Sequence, residues 1–120
     1  MKLNHLDLQV NDVQRTVTFF EDAFGFQLQS NRRSSSIAIL SDSDGFVLVL
    51  QRKKFETDGY PDGFHLGFLV DDVETVHRFY ATAHQLGLEV SEIIDNGRGT
   101  HVYCKGPDGL LAEVSCRPPR

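Results

Sequence analysis

His5 and His65 stand sixty residues apart, each inside a segment of alternating character, and Glu113 stands in the run LLAEV. Imidazole nitrogens and carboxylate oxygens are the donors that proteins commonly offer a divalent transition metal, so these three side chains are of the types a mononuclear metal site needs. A strand histidine taken alone is an ordinary hydrogen-bonded residue, and a lone strand glutamate ordinarily faces water. Two features set these three apart. The histidines hold the same position of an internal repeat, and a carboxylate between Ala112 and Val114 is expensive to bury unless something pairs with it. Other polar side chains carry less. His77 and His84 lie seven apart on one face of a helix and read as solvated or packing residues, while Cys104 and Cys116, twelve apart with no CxxC spacing, read as reduced thiols facing a helix layer as small hydrophobes.

The repeat supplies the elements that must position these groups. His5-Leu6-Asp7-Leu8-Gln9-Val10-Asn11-Asp12-Val13 falls over His65-Leu66-Gly67-Phe68-Leu69-Val70-Asp71-Asp72-Val73 at an offset of 60, which drifts to 62 at Gly25/Gly87 and to 64 at Asp44-Gly45/Asp108-Gly109. Each half opens on an alternating strand, 3–10 and 64–70, that puts its histidine on the more polar face. A helical period follows, with Val13, Val17, Phe20 and Phe24 in one half and Val73, Val76, Tyr80 and Ala83 in the other. Asn11 with Gln14, and Asp71 with Glu74, have the spacing of capping boxes, and Gly25 and Gly87 follow as terminators. Three strand-like runs then complete each half, at about 26–30, 36–41 and 46–52, and at about 88–94, 100–105 and 110–116. The expected architecture is α+β: one domain, 1–120, made of two tandem βαβββ modules, 1–54 and 63–117, joined by a Gly- and Pro-containing linker at 55–62. The Arg32-Arg33-serine segment reads as a loop able to fold over a ligand.

Two such modules, with a histidine in the first strand of each and a Pro-Asp-Gly turn four residues before a late glutamate, resemble the vicinal oxygen chelate superfamily, the glyoxalase, bleomycin-resistance and extradiol dioxygenase group. NHLDLQVND, FHLGFLVDD and GPDGLLAEV carry the resemblance, which covers essentially the whole chain. It implies that the modules pair into a U-shaped mixed sheet around a cavity, that His5, His65 and Glu113 hold one divalent metal, and that the substrate is a small molecule binding through adjacent oxygens. Fe(II) or Mn(II) is favoured, with Zn(II) or Ni(II) as further candidates. A homodimer is implied as well, which leaves open whether His5 works with His65 of its own chain or of a second copy.

Departures from the family pattern narrow the chemistry. Val49 stands where Glu113 stands in the second module; glyoxalase I and methylmalonyl-CoA epimerase fill that position with Glu or Gln, and valine neither binds metal nor moves a proton. Three ligands leave about three cis positions open on an octahedral ion. The extradiol pattern is matched by Tyr103, Pro107, Gly109 and Glu113, but its upstream acid-base histidine is replaced by Ile94 or Asp95, leaving His101, on the same face as Tyr103, as a substitute by another geometry. Tyr103, His101 and Asp7 are thus the candidate catalytic or proton-transfer residues. A fosfomycin-type thiol transferase and a glyoxalase-like lyase rank below the extradiol type, the first because Asp7 replaces a threonine and would repel a phosphonate, the second because of Val49. A metal-free protein sequestering a flat cationic drug, of bleomycin-resistance type, is the non-enzymatic alternative.

Composition limits the partners. A formal charge of -5 and a pI near 5.4 lack the concentrated basic surface that nucleic acid or an anionic membrane would call for. No apolar run approaches the ~20 residues needed to span a bilayer, and MKLNHLDLQV has neither the basic nor the long apolar region of a signal peptide, so a cytoplasmic protein is expected.

Overall fold

The computed structural model describes residues 1–55 and 59–119. The chain forms two compact units, Met1–Asp58 and Gly59–Arg120. Residues 56–58 of the expected linker lie outside the described residues.

The first unit runs β1 (His5–Val10), α1 (Val13–Phe24), β2 (Gln27–Leu28), β3 (Ile37–Ser41) and β4 (Val47–Arg52). Its sheet has the order β1-β4-β3-β2, with β1 and β4 parallel and the other pairs antiparallel. The second unit runs β5 (His65–Leu69), α2 (Val73–Gln85), β6 (Glu89–Val90), β7 (Ile94–Asn96), β8 (Gly99–Lys105) and β9 (Leu111–Cys116), with the order β5-β9-β8-β6 and β5 parallel to β9. The architecture is α+β, two helices on two mixed sheets, and the βαβββ order recurs. Strand β7 is an addition to the sequence expectation: it folds back on β8 through a tight turn at Gly97-Arg98, pairing Asn96 with Gly99 and Ile94 with His101.

The helices form where their periods predict, with different caps. Asp12, extended at φ -129°, accepts from the Arg15 amide at 3.0 Å, and Asp72 accepts from the Thr75 amide at 2.8 Å. Each cap is therefore one residue later than the Asn11 and Asp71 expected, because the aspartate immediately before the first helical valine is the one whose short carboxylate reaches the N3 amide. Gln14, relieved of a capping role, donates instead to the Arg33 carbonyl at 3.1 Å. Gly25 and Gly87 end the helices, at φ 72° and 73°.

Each helix covers one face of its own sheet. Val13, Val17 and Phe20 of α1 are buried, as are Leu8, Leu48 and Leu50 on the strands of the same unit; a fully buried side chain of this kind contributes about 1.5–3 kcal/mol. The stripe of α2 is Val76, Phe79 and Ala83 rather than one running through Val73, which is 45% exposed, and Tyr80, which is half-buried. Beneath it lie Val102, Cys104, Ala112 and Val114. Both cysteines are free and buried, as expected, and burial, followed by the nearby Glu89 charge, pushes the Cys104 thiol up to about 11. No described helix is long and apolar enough to cross a membrane.

Candidate functional site

Register decides which side chains share the face away from each helix, because residues paired across strands point the same way. In the second unit Gly67 pairs with Glu113 and Glu113 with Tyr103, while Leu69 pairs with Ser115 and Ser115 with His101. His65, two residues before Gly67, is on that face too. Four of the six candidates, His65, His101, Tyr103 and Glu113, are thus brought together on the β5-β9-β8 surface. Gly67, directly across from Glu113, borders open space, since even a Cβ there would meet nothing within 4 Å.

Glu113 is the centre of the group. Its Oε1 lies 3.7 Å from His65 Nε2 and its Oε2 lies 3.9 Å from His101 Nδ1, so an imidazole flanks each oxygen at more than hydrogen-bond distance. The tautomer of His65 follows from its other nitrogen. Nδ1 stands 3.0 Å from the Gly63 carbonyl, which can only accept, so Nδ1 carries a proton and Nε2 is the nitrogen turned toward Glu113. Tyr103 completes the surroundings. Burial raises its hydroxyl above the usual phenol range, and a hydrogen bond to Glu113 and the carboxylate's charge raise it further, so the tyrosine stays protonated and donates. Its backbone is clamped from both sides by Ser91, whose Oγ accepts from the Tyr103 amide at 3.0 Å and whose amide donates to the Tyr103 carbonyl at 2.8 Å. His101 has only 5% of its side chain exposed, and its buried Nε2 has no hydrogen-bond partner among the described residues.

His5 and Asp7 belong to the first unit, exposed on the face of β1 away from α1. Asp7 is held by amides: Gln9 Nε2 donates to one carboxylate oxygen at 3.0 Å, and Gln51 Nε2 donates to the other. Directly across from Asp7 is Val49, and across from Val49 is Ile39, so valine holds in β1-β4-β3 the place that Glu113 holds in β5-β9-β8. The roles of Gln51, Ser91 and Gly63 escaped the sequence reading. Gln51 could have been found by alternation from Val49, whereas Gly63 acts through its carbonyl and Ser91 through backbone contacts that residue type does not announce. Among the described residues no group of three or more His, Cys, Asp or Glu is assembled as a metal cage. His77 and His84 are exposed on α2, and His84 meets the Tyr80 ring edge-on.

Residues 2–114 match the family model of the Glyoxalase/Bleomycin resistance protein/Dioxygenase superfamily. The chain belongs to this superfamily. Among solved structures it is similar to a possible glyoxalase from Bacillus cereus, 31% identical, with 97% of this chain and 99% of that one covered and a TM-score of 0.82. The fosfomycin resistance protein FosX from Listeria monocytogenes shares the fold at 18% identity, with coverage of 98% and 94% and a TM-score of 0.79. Lactoylglutathione lyase from Agrobacterium tumefaciens does so at 17% identity, with coverage of 96% and 92% and a TM-score of 0.78. No curated protein sequence matches the chain. Members of the superfamily generally bind divalent metals and small-molecule substrates, and often form dimers.

Proposed function

We propose that this superfamily member is a metal-dependent enzyme of extradiol dioxygenase type, in which His65 and Glu113, with His5 of the same or a second copy, hold Fe(II) or Mn(II). The observation that carries the reading is the confrontation of His65 Nε2 with Glu113 Oε1. With Nδ1 committed to a carbonyl, Nε2 is the nitrogen free to ligate, and beside the Glu113 oxygens it offers a divalent cation a nitrogen and an oxygen donor together. Two donors at about 2.1 Å from one ion stand roughly 3.0–3.6 Å apart, so a separation of 3.7 Å closes with a small side-chain rotation. The carbonyl on the far nitrogen is also the support that a metal-ligating imidazole usually has.

Bound there, a divalent ion supplies Lewis acidity and a template for two vicinal oxygens of the substrate. The chain's own residues do the rest. Tyr103 keeps its proton and donates it toward the carboxylate edge of the site. His101 turns Nδ1 toward Glu113 and is the candidate to exchange a proton with a ligand bound there. Asp7, fixed by Gln9 and Gln51, puts a negative charge on the first unit's face, which disfavours a phosphonate and hence fosfomycin-type chemistry. The protein acts as a homodimer in the cytoplasm, where Cys104 and Cys116 stay reduced.

Elemental analysis of protein purified without added metal tests the reading. Stoichiometric iron or manganese is expected in the wild type and is lost in His65→Ala and Glu113→Ala, with oxygen uptake on a catechol panel following the metal. A metal-free wild type that binds planar cationic drugs overturns it in favour of sequestration.

A further inference from the structure

Next to Glu113 on the same sheet face is a cavity of about 180 Å³ lined by Glu89, Val90, Ser91, Tyr103, Lys105 and Leu111. Three observations make it part of the site rather than a separate feature. Tyr103 belongs to both, because it stands directly across from Glu113 on the neighbouring strand while it walls the cavity. Leu111 precedes Glu113 by two residues on β9, hence on the same face and about 7 Å along the strand. The rim is electrically balanced, since Lys105 Nζ pairs with Glu89 at 3.7 Å and leaves neither charge in excess. An enclosed apolar cavity of about 150 Å³ holds benzene, so this groove, open to solvent on one side, has room for a phenyl or a branched alkyl group with one face left exposed.

We propose that this slot is the specificity pocket of the site and receives an uncharged aryl or branched alkyl substituent of the same ligand whose vicinal oxygens meet the metal. Leu111 and Tyr103 are then specificity-determining residues, and the preferred substrates are substituted ring diols rather than bare or anionic ones. The inference rests on the vicinal-oxygen reading given above.

The test uses ¹⁵N-labelled, Zn(II)-loaded protein, with catechol and 4-phenylcatechol as probes. Catechol is expected to shift the amides of Gly67 and Glu113. Phenylcatechol additionally shifts those of Val90, Ser91 and Leu111, and binds at least about tenfold more tightly, as burial of a phenyl group predicts. Leu111→Trp, which fills the slot, removes the extra shifts and the preference of phenylcatechol over catechol. The slot reading is overturned if phenylcatechol leaves Val90, Ser91 and Leu111 unmoved, an outcome the wild type alone delivers, or if a folded Leu111→Trp keeps the preference. If catechol moves nothing but phenylcatechol still moves the slot amides, the slot stands and the vicinal-oxygen chemistry falls.

Discussion

The two units have the same strand order and register but carry different chemistry on equivalent positions. In the second, the central strand β9 supplies the carboxylate, Glu113, facing Gly67 on one side and Tyr103 on the other. In the first, those three places hold Val49, Asp7 and Ile39. The carboxylate has moved one strand over, to β1, and its surroundings have changed with it: amides of Gln9 and Gln51 satisfy Asp7, whereas imidazoles flank Glu113 without bonding to it. A duplicated fold repeats positions, and the residue placed at each decides whether a carboxylate is held by side-chain amides or faces imidazoles. The units differ also in how the strand beside the site begins. A loop of arginines and serines precedes β3, while a tight hairpin, β7 onto β8, precedes His101.

That hairpin gives the largest expected effect. Gly99 has φ 115°, and a Cβ there would stand 2.1 Å from the Cys116 carbonyl oxygen, so the turn admits no side chain. Gly99→Ala should cost more than about 3 kcal/mol in a urea titration, the sum of backbone strain and a clash with main chain that cannot swing aside. Gly45, in the first unit's turn before β4, also has a positive φ of 86° but meets nothing within 4 Å, so Gly45→Ala should cost only the strain, about 1 kcal/mol. Equal losses at the two positions would show that the hairpin is not the special feature of the second unit.

The position shared by Val49 and Glu113 gives the next effect. Val49→Glu sets a second carboxylate directly across from Asp7, and like charges opposed on a sheet face are destabilising. The metal-free variant should lose about 0.5–1 kcal/mol at pH 7 relative to Val49→Gln and regain it as the pH falls toward 4, where one of the pair takes a proton. Because His5 lies two residues before Asp7 on the same face, millimolar Mn(II) should restore the loss at pH 7 in Val49→Glu alone. No response to metal would mean that the first unit's face cannot be converted by one carboxylate.

Much of this comparison was legible in the chain. The offset of 60 set the two βαβββ units, and alternation correctly put His65, Tyr103, His101 and Glu113 on one face, since face is a local property of strand period. The strand edges and the hairpin were less legible. Ile94-Asp95-Asn96 is too short and too polar to announce a strand, and it becomes one because Gly99 lets the chain fold back onto β8. Distances around Glu113 were beyond reach for a different reason: the His65 tautomer depends on a backbone carbonyl two residues away, at Gly63, which any residue type could have supplied.

The smallest effect separates the two helix caps. Both aspartates accept a backbone amide, but Asp72 also takes the Thr75 hydroxyl, at 2.8 Å, whereas Arg15 at the corresponding place in α1 has no hydroxyl to give. The Thr75 side chain, then its amide, hold the Asp72 carboxyl below its ordinary value. A carboxylate whose folded pKa is depressed adds stability that is fully present above its unfolded pKa, about 3.9, and is lost as the pH falls through the lower folded value. Asp12→Ala should therefore lower stability by about 1 kcal/mol, as loss of a single cap bond does. Asp72→Ala should lower the melting temperature by more than Asp12→Ala does at pH 7, and the gap between wild type and Asp72→Ala should narrow once the pH drops below about 3.9. Thr75→Val, which removes only the hydroxyl, should bring the two caps level at neutral pH. If Asp72→Ala and Asp12→Ala shift the melting temperature equally in the Thr75 background, the second bond adds nothing and the caps of the two units are equivalent after all.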